Sequence, residues 1–147
     1  MTVTWALVAD RSEARIFENR GPGKGLELVE DIAHPSGHLR DRDLGTDKHG
    51  RAFDSAGSGR HAMERHETPA EHATREFATE LCGKLRAARI AHRFDRLVLC
   101  AEPALLGRLR HGLDEPTRKL VTGEVSKHLA QAKNAELATH LGSVMNV

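Results

Sequence analysis

Apolar positions along the chain change their period several times, and each change predicts an element. From Val3 to Ala9 (VTWALVA) they are nearly continuous, as in a central strand covered on both faces. Asp10-Arg11-Ser12-Glu13 interrupts the run with a short polar turn. Ala14 to Glu18 (ARIFE) predicts a second strand that sends Ile16 to one face and Phe17 to the other. Gly21-Pro22-Gly23-Lys24-Gly25 is turn punctuation. Leu26 to Ile32 predicts a third strand, with Leu26, Leu28 and Ile32 on one face against Glu27 and Asp31. Strands joined by such short turns form a meander.

The period then lengthens. Thr68-Pro69-Ala70-Glu71 is a helix start: Thr68 caps, Pro69 takes the first helical position and Glu71 completes a capping box. A helix to about Ala91 follows, with Ala73, Phe77, Leu81, Leu85 and Ala88 on one stripe. Arg96 to Ala101 (RLVLCA) reads as a buried strand, and Pro103 opens a short helix bearing Leu105, Leu106, Leu109 and Leu113. Lys119 to Val125 predicts a fifth strand containing an awkward Gly123. Ser126 to Lys133 has no clear pattern, and Asn134 to Leu141 closes as a helix with Leu137 and Leu141 inward. The predicted order is βββαβαβα: an α/β protein with a five-stranded mixed sheet and helices on its faces.

Between the third strand and the first helix lies a long polar insertion, His34 to Glu67. Loops of this length inside a domain are functional or disordered. Six basic residues (Arg40, Arg42, Lys48, Arg51, Arg60, Arg65) alternate with six acids (Asp41, Asp43, Asp47, Asp54, Glu64, Glu67), and Phe53 stands among them. A merely solvating linker needs neither the sign alternation nor the phenylalanine. The composition points to a segment that orders on a polyanionic or protein partner.

At 147 residues the chain reads as one domain, 1–147. The formal net charge of +1 excludes a global basic field, so any nucleic-acid contact must be local. Two cysteines, Cys82 and Cys100, without a CxxC pair suit a reducing cytosol. No basic region precedes the first apolar run and no segment is long enough to span a bilayer, so a cytoplasmic protein without membrane partners is expected.

Ten histidines raise the question of a metal, but His34/His38 and His61/His66/His72 match no ligand frame, and no metal or cofactor is expected. Asp10 and Glu102 fall at the carboxyl ends of the first and fourth strands. These strands would be neighbours in a ribonuclease H-like sheet, where such carboxylates hold magnesium for phosphodiester hydrolysis. Both are also ordinary positions for an acid, at a turn and before a helix-starting proline. Ser55 and Ser58 lie in DSAGSG, which is no nucleophile elbow.

WALVADRSEARIFEN, RDRDLGTDKHGRAFDSAGSGRHAME and RLVLCAEPALLGRLR together make the chain resemble the bacterial host attachment proteins, a group described as required for attachment to host cells. That group is similar to the middle domain of eukaryotic and archaeal peptide release factors. The resemblance implies a ribonuclease H-like mixed sheet and a role near the ribosome. Release factors hydrolyse peptidyl-tRNA with a Gly-Gly-Gln loop. The nearest element here is Gly57-Ser58-Gly59-Arg60-His61, and the one glutamine in the chain is Gln131, so that chemistry does not carry over. The resulting expectation is a non-enzymatic binding module whose 40–61 loop meets ribosomal or transfer RNA. Arg40, Arg42, Arg51 and Arg60 would contact phosphates, Phe53 would stack on a base, and Gly57 and Gly59 would allow close approach. Asp41, Asp43, Asp54 and His61 belong to the same surface. A protein partner in surface regulation is the alternative, since the alternating charges of Arg40-Asp41-Arg42-Asp43 suit a protein surface better than they suit RNA.

Overall fold

A computed structural model describes residues 2–34 and 67–147. Its centre is β1 (Thr4–Ala9), every residue of which is buried. β1 pairs antiparallel with β2 (Glu13–Asn19), which pairs antiparallel with β3 (Glu27–Ala33). On its other side β1 runs parallel to β4 (Arg96–Ala101), and β4 parallel to β5 (Val121–Ser126). The sheet order is therefore β3-β2-β1-β4-β5. Helices α1 (Pro69–Ile90), α2 (Pro103–Gly112), α3 (Glu115–Arg118) and α4 (Asn134–Leu141) complete the chain.

Strand alternation divides the core into two layers. Trp5, Leu7 and Ala9 of β1, with Ile16, Leu97 and Leu99, face α1 and α2 through Phe77, Leu81, Leu85, Leu105 and Leu109. Ala6 and Val8, with Phe17, Val98 and Cys100, face the other way against Leu129 and the α4 residues Leu137 and Leu141. Ile16 and Phe17 thus take opposite faces, as their adjacency requires. The stripe Ala73, Phe77, Leu81, Leu85 and Ala88 is buried throughout. The capping box at Thr68 is complete: its hydroxyl accepts from the Glu71 amide at 3.1 Å, and the Glu71 carboxylate accepts from the Thr68 amide at 2.9 Å.

The third strand departs from its simple period. A β-bulge sets Leu28 opposite Phe17 but Glu30 opposite Ile16, leaving Val29 as the extra residue. The parity of the strand flips there. Leu26 packs towards the α4 side, Leu28 is left 49% exposed on the sheet edge, and Ile32 turns to the α1 side. Leu26, Leu28 and Ile32 therefore do not share a face.

Three further differences have local causes. The short helix α3 is absent from the sequence reading. It starts at Asp114-Glu115-Pro116, and its Thr117 is fully buried. The fifth strand runs from Val121 to Ser126, not from Lys119, because Lys119 and Leu120 still finish the α3 turn. The unassigned stretch after Ser126 is pinned by Arg15, whose Nη2 donates to the Ala132 carbonyl at 2.6 Å and the Leu129 carbonyl at 3.3 Å. Gly123 is explained by packing: a Cβ there would lie 2.6 Å from the Cβ of Val144.

Candidate functional site

A sheet with parallel strands offers its ligand site at their carboxyl ends, where neighbouring connections run in different directions. β1 turns back into β2 after Ala9, while β4 leads into α2 after Ala101, and these alanines are paired in register. The residues that follow them, Asp10 and Glu102, line one cleft of about 680 Å³. Arg11 and Ser12 of the first turn, Thr68 at the cap of α1, Glu71 and Thr74 of α1, Arg108 of α2 and His128 after β5 complete its polar lining.

The three acids of the cleft are not equivalent. Asp10 Oδ1 accepts from the amides of Ser12 and Glu13 at 2.8 and 3.0 Å and from the Ser12 hydroxyl at 3.0 Å. It shapes the β1–β2 turn. Glu71 is held in the capping box. Glu102 stands at the cap position of α2 without capping it, and among the described residues its carboxylate meets only His128 Nε2, at 3.8 Å. Asp10 and Glu102 are thus brought to one cleft, as the neighbouring strands require. Among the described residues no group of three or more His, Cys, Asp or Glu side chains assembles to hold a metal.

The cations sort similarly. Arg108 Nη1 lies 3.7 Å from Glu67 Oε2, which also accepts from Arg75 Nε at 2.7 Å. His72 Nδ1 is 3.3 Å from the other Glu67 oxygen. The hydrogen bond from Arg75 holds the Glu67 carboxyl below its ordinary range, against a smaller upward push from desolvation. Arg11 has no ion pair among the described residues.

The cleft is also where the 35–66 segment is tied at both ends. Before it, the His34 amide donates to the Ser12 carbonyl at 2.8 Å, and the His34 ring stacks on Phe77 with centroids 4.6 Å apart. After it, Glu67 is gripped by Arg75, His72 and Arg108, and Thr68 caps α1. The partner-binding residues read from the sequence, from Arg40 to His61, lie outside the described residues, as do His38 and His66. Sequence reasoning missed Arg108 and His128. Arg108 lies in RLVLCAEPALLGRLR, where its alternation with leucines looks like an ordinary solvated helix face. His128 lies in a stretch without period.

A family model described as "Protein required for attachment to host cells" matches residues 5–141. The chain belongs to that family. Among curated proteins none matches this host attachment family member. Among solved structures it is similar to an archaeal translation termination factor, aRF1, with a TM-score of 0.52 at 11% identity, over 98% of this chain and 35% of that one. A second structure, described as an archaeal protein, gives a TM-score of 0.51 at 11% identity over the same shares. The family member spans about a third of the length of either structure. At this identity the likeness is one of fold: the mixed five-stranded sheet with helices is release-factor-like.

Proposed function

We propose that this protein is a non-enzymatic module of translation that binds ribosomal or transfer RNA at the carboxyl edge of its sheet. The observation that carries the reading is the tethering of the 35–66 segment, from His34 on Ser12 to Glu67 on Arg75 and Arg108, at the rim of one polar cleft. The reading assigns Arg40, Arg42, Arg51 and Arg60 of the insertion and Arg11 and Arg108 of the cleft to the same RNA partner. Arginine forks suit phosphates, and Phe53 supplies a stacking face. Likeness of fold to a translation termination factor supports the choice of RNA. Gly57-Ser58-Gly59-Arg60 in place of Gly-Gly-Gln argues for binding without peptidyl-tRNA hydrolysis.

Sedimentation with ribosomes across a salt series tests this. Four phosphate contacts on single-stranded RNA give a log–log slope of about −3. Changing Arg40, Arg42, Arg51 and Arg60 to alanine should abolish co-sedimentation. No co-sedimentation at low salt overturns the reading. Pull-downs that survive nuclease treatment would instead favour a protein partner. A second reading rests on Asp10 and Glu102 lining the same cleft: magnesium-dependent phosphodiester hydrolysis. Unaltered magnesium-dependent cleavage by the D10A/E102A variant would exclude these residues as its source.

A further inference from the structure

The amino ends of the central strands carry a second polar feature, at the opposite end of the sheet from the cleft. Strand register sets Asn19, Thr4 and Arg96 in one row across β2, β1 and β4. Two residues further along, the same face carries Phe17, Ala6 and Val98, all in the apolar layer beneath α4. Residues 142–146 close over the polar row and leave a pocket of about 300 Å³, the lower end of the range for ligand sites.

The lining is chemically one-sided. Arg96, Thr2, Thr4, Thr122 and Ser143 are among its lining residues, and none of the lining residues is acidic. Asn19 is a wall, since its amide is consumed: Nδ2 donates to the Gly25 carbonyl at 2.8 Å, and Oδ1 accepts from the Gly21 amide at 3.1 Å. Ser143 donates to the His140 carbonyl at 3.4 Å. Thr4 is different. The residue is 8% exposed, and among the described residues its hydroxyl makes no hydrogen bond and is not one of the buried unpartnered polar atoms. Arg96 likewise has no ion pair among them. A hydroxyl that is unengaged yet not closed off from solvent is free to donate to an acceptor brought into the pocket.

We propose that this pocket binds a small oxyanion, a phosphate or carboxylate group, on the fork of Arg96 with hydrogen bonds donated by Thr4 and Thr122. An arginine fork beside hydroxyl donors with no competing carboxylate is the chemistry such anions require. The site is separate from the RNA-binding cleft and does not depend on it.

The test is titration of the full chain with inorganic phosphate and, separately, with acetate. Amide shifts of residues 4, 96 and 122 and the melting temperature are followed at constant ionic strength. Saturable shifts confined to this row are expected, with affinity weakened about tenfold or more in both Arg96→Met and Thr4→Val. Thr4→Val keeps the β-branched shape, so an unaltered melting temperature without anion shows that folding is intact. Acetate binding in place of phosphate, lost in the same variants, assigns the carboxylate source. No saturable shift with either anion, or binding that both variants retain, overturns the proposal.

Discussion

A single methyl group at position 123 tests how residues 142–146 close onto the sheet. In Gly123→Ala the new Cβ would meet Val144 Cβ at 2.6 Å and Cγ1 at 3.0 Å. Carbon pairs rest at about 3.5–4.0 Å, so Val144 must retreat by roughly an ångström. If it strains in place, overpacking costs about 1–3 kcal/mol. If residues 142–147 lift instead, Val144, Met145 and Val147 lose their packing against the α4-side layer, a loss of similar size for partly buried side chains. Removing a glycine from a strand returns about 0.5–1 kcal/mol. The net expectation is a destabilisation of about 1–2 kcal/mol, which for a domain of this size lowers Tm by about 2–8 °C. Urea denaturation followed by fluorescence of Trp5 reads it directly, because this is the one tryptophan in the chain and it is 2% exposed. The double variant Gly123→Ala/Val144→Gly, which removes the clashing Cβ, should recover most of the loss relative to Val144→Gly alone. A single variant as stable as the parent, or a double variant showing no recovery, would refute the contact and remove the roof of the polar pocket with it.

Three other outcomes are expected. Thr68→Ala removes one half of the α1 capping box and should lower stability by about 1 kcal/mol in chemical denaturation. Glu67 has its pKa held below its ordinary value of 4.5, chiefly by Arg75. Its contribution is therefore present above pH 4.5 and lost as pH falls below it through the folded-state value. Glu67→Gln should flatten that acid limb in stability curves measured from pH 6 to pH 3, and identical limbs would contradict the assignment. Burial pushes the thiols of Cys82 and Cys100 up to about 11. Neither should react with iodoacetamide at pH 7.5 in the folded protein, and both should be labelled in urea, as mass spectrometry would show.

Much of this architecture is legible in the residues. A run as apolar as Trp5-Ala6-Leu7-Val8-Ala9 has no place but the middle of a sheet, and Thr68-Pro69-Ala70-Glu71 announces its helix through side chains that contact their own backbone. Local chemistry of this kind depends on neighbours a few positions away. The β3 bulge does not. The three apolar residues Leu26, Leu28 and Ile32 fit one face perfectly until Val29 is left over in pairing with β2, and that pairing is a property of two strands together. α3 was carried by Asp114-Glu115-Pro116, a start signal too short to stand out beside the longer period of α2. The cleft was half visible: Asp10 and Glu102 follow from strand ends, whereas Arg108 and His128 reach it from elements whose placement only the tertiary fold decides. The arginines of the insertion were legible as chemistry, without a location.

The fixing of His34 and Glu67 on either side of residues 35–66 bears on how much length the fold can hold between them. His34 is fixed on β2's turn and Glu67 on α1 and α2, so the mount is complete before the insertion begins and after it ends. Between two fixed ends, the closure entropy of a joining chain grows only with the logarithm of its length, by about 0.6 kcal/mol per doubling. Both mounts are made by residues outside that stretch, so their contacts do not depend on how many residues join them.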